Sequence, residues 1–102
     1  RFIRASFVKM NSLSEETENE SVGQFFHITD CVQQTRGCCK TGKNDYEITI
    51  YTSCMNADKG LYYYTTYNNR QITAVDMHKE NLDGSKLYRY PLITTEQIRF
   101  QN

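Results

Sequence analysis

The spacing of apolar residues changes once along this chain, from a helical period before Gly37 to a period of two from Tyr46 onward. A pattern with one period does not settle into the other structure, so the chain must join helices to an antiparallel sheet in an α+β arrangement.

In Arg1 to Asn11, Ile3, Phe7 and Met10 follow helical spacing and Phe2, Ala5 and Val8 widen the stripe, which predicts a first helix buried over much of its circumference. Asn11 to Glu20 is polar and acidic and is expected to be an exposed, mobile loop open to nicking. Ser21 followed by Gln24 has the spacing of a capping box, and Val22, Phe25, Phe26, Thr29 and Val32 form one face of a second helix that Gly37 can end.

From Tyr46 to Ser53 the side chains alternate, with Tyr46, Ile48 and Ile50 on one face, which predicts a strand. Leu61 to Tyr67 and Gln71 to Met77 are two more, joined by Asn68-Asn69, whose positive φ would suit a tight turn. The expected sheet is therefore a three-stranded meander. Leu87 to Leu92 is expected to be a short extended segment closed by Pro91, and Gln97 to Asn102 a tail. Tyr62, Tyr63 and Tyr64 put aromatic rings on both faces of the middle strand, so the second face should pack against something outside this segment.

The chain has 102 residues, enough for one modest domain and no second. Its 12 basic and 12 acidic residues cancel, and no stretch gathers Lys or Arg into a surface for phosphates or an anionic membrane. No apolar run approaches the roughly 20 residues of a membrane span, and the first residues lack the charged, hydrophobic and small-residue succession of a signal peptide, so a soluble chain is expected. Arg1 opens directly into Phe2 and Ile3, which suggests that the natural chain starts elsewhere.

Cys31, Cys38, Cys39 and Cys54 would suit two disulfides in a secreted protein, but without an export signal reduced thiols are the expectation. His27 with Cys31 four residues on, followed by Cys38-Cys39, superficially suggests zinc. Adjacent cysteines rarely serve one tetrahedral site, so no metal or other cofactor is expected. His78 has Asp76 and Glu80 nearby, an arrangement that a solvated strand end explains equally. Asn19-Glu20-Ser21 matches a glycosylation sequon but reads as a helix cap. A tyrosine-rich strand could stack on bases, yet the basic groove that accompanies such platforms is missing.

The string Arg1-Phe2-Ile3-Arg4-Ala5-Ser6-Phe7-Val8-Lys9 resembles the Arg-Phe-Val-Arg segment of the choloylglycine hydrolase family, with Ile3 in place of the commoner Val. Gln24 to Ile28, Tyr46 to Cys54, Lys59 to Tyr64 and Gln71 to Met77 look like the family's bile salt hydrolases as well. The likeness runs to the last residue and implies that residues 1–102 are the C-terminal portion of a single domain. The complete enzyme would be a cytoplasmic homotetramer with the four-layer αββα fold of N-terminal nucleophile hydrolases. It would hydrolyse the amide that joins glycine or taurine to a bile acid.

By the same resemblance the nucleophile is an N-terminal cysteine in the remaining part of the enzyme, and none of the four cysteines here corresponds to it. The family's active-site arginine falls on Arg1. A guanidinium beside a thiol favours the thiolate. Arg4, one helical turn on, is the rival candidate, and a solvent-facing helix start is the plain structural alternative. Two other functions stay open: penicillin V acylase, which shares the fold and the cysteine, and a non-catalytic module that pairs with copies of itself.

Overall fold

The computed structural model describes residues 1–102. The order of elements is α1 (Phe2–Asn11), α2 (Glu18–Asp30), β1 (Tyr51–Asn56), β2 (Leu61–Thr66), β3 (Asn69–Asp76) and a short 3₁₀ turn (Met77–Lys79). Two helices followed by an antiparallel sheet is the expected α+β class. The chain divides into two compact units, Arg1–Thr49 and Ile50–Asn102. No helix is long and apolar enough to cross a membrane.

In the first unit, α1 begins one residue after Arg1 and carries Lys9 in its last turn, where a cation suits the helix dipole. Its expected burial does not occur. Phe2, Phe7 and Met10 are exposed, and Ile3 is 82% exposed, because nothing in the unit lies over these larger side chains. Only Ala5, Ser6 and Val8 are half-covered.

α2 starts earlier than Ser21. Thr17 is the N-cap: its Oγ1 accepts the Glu20 N–H at 3.2 Å, while the Glu20 carboxylate accepts the Thr17 N–H at 3.3 Å. Thr17 and Glu20 thus form the capping box, with Glu18 and Glu20 both acidic at the positive end of the helix. Ser21 and Gln24 fasten the preceding loop instead, donating to the carbonyls of Glu15 and Leu13 at 3.1 and 3.0 Å. The exposed acidic stretch is therefore shorter than expected and tied down. Asn19, in the sequon, lies inside the helix and is not its cap.

Val22 and Phe26, one turn apart, are the buried residues of this unit, with the Phe25 ring edge-on to Phe26 at 5.5 Å. The helix stops at Asp30, well before Gly37, and tightens through i to i−3 bonds from Cys31, Val32 and Gln33. Gly37, at φ +97, serves a separate turn closed by the Cys38 N–H on the Thr35 carbonyl at 3.0 Å.

The strand expected from Tyr46 begins only at Tyr51. Residues 46–49 are held within the first unit: Lys40 bridges to Tyr46, the Glu47 N–H bonds to Cys39, and the Thr49 N–H bonds to Gln34. Backbone donors used in this way cannot extend the ladder to β2.

In the second unit the strand order is β1-β2-β3, all antiparallel. Tyr63 opposes Cys54 and Ala74 on one face; Tyr64 opposes Ser53 and Thr73 on the other. Tyr63, Tyr64, Thr66 and Asn69 are the buried residues. No residue other than glycine has positive φ, so Asn68-Asn69 does not make the expected turn. The loop is Tyr67-Asn68, and Thr66 pairs directly with Asn69.

An ordinary turn splays the strands it joins, and a bulge absorbs the mismatch. Between the pairs Tyr64–Thr73 and Thr66–Asn69, Thr65 faces the three residues Arg70, Gln71 and Ile72. The N–H groups displaced from the ladder are recovered by side chains: Gln71 bonds to Asn69 Oδ1 at 3.1 Å and Arg70 to the Glu96 carboxylate at 3.0 Å. Asn69 is 1% exposed as a result of this role. Leu87 to Leu92 forms no strand. The chain just beyond it binds β2 through side chains, with Ile93 donating to the Tyr64 phenol at 3.3 Å and accepting from Thr66 Oγ1 at 2.7 Å.

Gly60 turns the chain into β2 at φ +66, and the side chains of Met77 and His78 come within 2.7 Å of where a Cβ would stand. Gly60→Ala should lower stability by about 1–2 kcal/mol. Thr17→Ala should cost about 1 kcal/mol and Thr17→Ser much less, since serine keeps the capping oxygen. Urea unfolding midpoints of the complete protein check all three.

Candidate active site

Arg1 sits at the N-cap of α1 without a side-chain capping bond, and its carbonyl accepts the first helical N–H, from Ala5, at 3.0 Å. A cation there opposes the positive end of the helix dipole. Its guanidinium instead reaches the Val32 carbonyl, 31 residues on, at 2.8 Å. Val32 lies just past the C-terminus of α2, where the last carbonyls carry partial negative charge. The position unfavourable for one helix is favourable for the other.

Arg1 lines an open cleft of about 540 Å³ together with Ile3, Arg4, Phe7, Val32, Gln33 and Gln34. The structure thus brings both candidate arginines to one place. Of the five guanidinium donors on Arg1, one is used on Val32. No carboxylate lines the cleft, and Arg4 is exposed. The wall formed by Val32, Gln33 and Gln34 was not evident from the sequence. It arises because α2 stops at Asp30 and Gln34 is held in a reciprocal pair with Thr49, its N–H on Thr49 Oγ1 at 2.8 Å.

All four cysteines carry free thiols. The Cys39 thiol is pushed above its ordinary pKa by its hydrogen bond to Glu47, then by desolvation and by that carboxylate's charge. Burial pushes the Cys54 thiol up as well. Both shifts lower the thiolate fraction, opposite to what a nucleophile needs.

The other sequence candidates are not assembled into sites. His27 is exposed on α2, and no group of three His, Cys, Asp or Glu side chains is placed to hold a metal ion. Asp76 accepts the backbone N–H of His78 at 3.0 Å, capping the 3₁₀ turn, and does not reach the imidazole. Glu80 is engaged by the Tyr90 phenol, whose pKa rises through that bond. Tyr63 and Tyr64 are buried, so the aromatic strand serves the sheet.

Residues 1–90 match the family described as linear amide C–N hydrolases, choloylglycine hydrolase family. A bile salt hydrolase/transferase of Lactiplantibacillus plantarum is 52% identical over 97 residues, which is 95% of this chain and 30% of that protein. One from Clostridium perfringens is 41% identical over 102 residues, covering 100% of this chain and 31% of the relative. A crystal structure of the conjugated bile acid hydrolase from Clostridium perfringens is similar with TM-score 0.84 at 40% identity, over 99% of this chain and 31% of that one. The chain therefore spans about 30% of the length of the relatives it matches.

The thiol environments lead to a measurable order of reactivity. With iodoacetamide at neutral pH, exposed Cys38 should label before Cys39 and Cys54. Glu47→Gln removes the carboxylate that holds the Cys39 proton, so it should speed labelling of Cys39 several-fold while leaving Cys54 slow. Peptide mass spectrometry over a time course checks both.

Proposed function

The chain belongs to the choloylglycine hydrolase family of linear amide C–N hydrolases, and we propose that it is the C-terminal portion of a bile salt hydrolase. The observation that carries this reading is the 52% identity to a bile salt hydrolase/transferase across 95% of the chain. The reaction is hydrolysis of the amide that joins glycine or taurine to a bile acid. The complete enzyme, in this reading, is a cytoplasmic homotetramer with the αββα layers of N-terminal nucleophile hydrolases, and residues 1–102 are part of its one domain. It uses no cofactor.

The nucleophile is an N-terminal cysteine outside this chain. The raised pKa values of Cys39 and Cys54 support looking elsewhere for it. Arg1 is the catalytic residue that this chain supplies. Its guanidinium is a cation, and a cation held beside the thiol stabilises the thiolate that attacks the amide carbonyl. Val32 engages one of its donors and leaves the others available. Arg1 is exposed in this chain, and its bond to Val32 is the contact that supports the site reading over a solvent-facing helix start.

In the complete enzyme, Arg1→Ala should raise the midpoint of the pH profile for alkylation of the nucleophilic thiol by about 1 unit or more. Turnover of glycocholate should fall by about tenfold or more with it. An unchanged profile together with unchanged turnover would remove Arg1 from the site. Faster turnover of phenoxymethyl penicillin than of glycocholate by the unaltered enzyme would make it a penicillin V acylase of the same family. The isolated chain, lacking the nucleophile, should release no glycine from glycocholate in an amino-acid release assay.

A further inference from the structure

Two guanidinium groups line one cleft that contains no acidic side chain. Arg1, the N-cap of α1, and Arg4, in its first turn, both line this cleft. Arg1 spends one donor on a neutral carbonyl, and Arg4 is exposed at the same cleft. The first turn of α1 contains no acidic residue either, so the dipole adds to the same positive field. Positive charge from these three sources meets in one concavity of this segment and favours an anion.

The rest of the lining narrows the ligand. Ile3 and Phe7 give the cleft an apolar side, and Gln33 and Gln34 add neutral amides. The volume of about 540 Å³ is within the roughly 300–1,000 Å³ usual for small-molecule sites. Such a lining fits an amphipathic anion whose charged end meets the arginines while an adjoining apolar part meets Ile3 and Phe7.

We propose that Arg4 binds the anionic end group of the conjugated substrate, the carboxylate of a glycine conjugate or the sulfonate of a taurine conjugate. The inference rests on the bile salt reading above. Arg1 stands beside the thiol and hence beside the reacting carbonyl. In a glycine conjugate the carboxylate carbon is roughly 4 Å from that carbonyl carbon, and the sulfonate of a taurine conjugate is one carbon further. Arg4, three residues from Arg1 and lining the same cleft, is the second cation available to meet either. A guanidinium takes both groups through paired N–H donors, and lysine supplies the charge without the fork.

Arg4 is thereby a substrate-binding residue, and its signature is a preference for charged over neutral conjugates. The test measures KM and kcat for glycocholate, taurocholate and the uncharged methyl ester of glycocholate in the complete enzyme, as wild type, Arg4→Gln and Arg4→Lys. In Arg4→Gln, KM for both charged conjugates should rise about tenfold with a smaller change in kcat, and the preference over the methyl ester should fall by about the same factor. Arg4→Lys should recover part of that preference. An unchanged preference in Arg4→Gln would overturn the proposal. If wild type hydrolyses none of the three compounds, the bile salt reading fails by itself, and calorimetric titration with taurine decides the anion site. Taurine binding by wild type that Arg4→Gln loses supports the site; equal binding by both, or binding by neither, overturns it.

Discussion

The hydrogen bond from the Arg1 guanidinium to the Val32 carbonyl sets the geometry on which the candidate site depends. Without it the cation at the start of α1 would only oppose the dipole of its own helix. With it, Arg1 is anchored at the negative end of α2 and shares a cleft with Arg4. The anchor is itself held. α2 is fixed at its start by the Thr17–Glu20 box and at its core by Val22 and Phe26, and the chain after it is pinned where Gln34 exchanges bonds with Thr49. A candidate site residue at the edge of an element is thus positioned by contacts far along the chain.

The second unit is governed by the complementary requirement that backbone groups leaving a ladder find other partners. Its bulge frees the N–H groups of Arg70 and Gln71, which Glu96 and Asn69 take up. The same requirement explains how residues 93–96 are held without being a strand: Ile93 and Glu96 are bound to β2 and the bulge through side chains. Both units leave large apolar side chains uncovered, among them Phe7 and Met10 on α1 and Tyr51 and Met55 on β1. These exposed faces accord with a chain that spans about 30% of the length of its relatives.

Which elements exist was legible in the sequence, since the helical stripe through Val22, Phe25 and Phe26 and the alternation of the strands are local signals. Their ends were not. Thr17–Glu20 and Ser21–Gln24 offer the same capping spacing, and the former prevails because its glutamate also suits the helix dipole. Tyr46 to Ile50 alternates like a strand, but its backbone is partly claimed by residues 34–41, a pairing across a loop that no window of sequence contains. For the site, the match of Arg1-Phe2-Ile3-Arg4 singled out two arginines, whereas their common wall of Val32, Gln33 and Gln34 depends on tertiary folding.

The central claim is that Arg1 stands beside the nucleophilic thiol, with Val32 fixing it there. The crystal structure of the complete enzyme tests this most directly through the distance from the Arg1 guanidinium to the sulfur of the N-terminal cysteine. The account predicts about 4–6 Å, the range over which an opposite charge shifts a pKa strongly. A separation beyond about 10 Å, more than a Debye length at physiological salt, would contradict it.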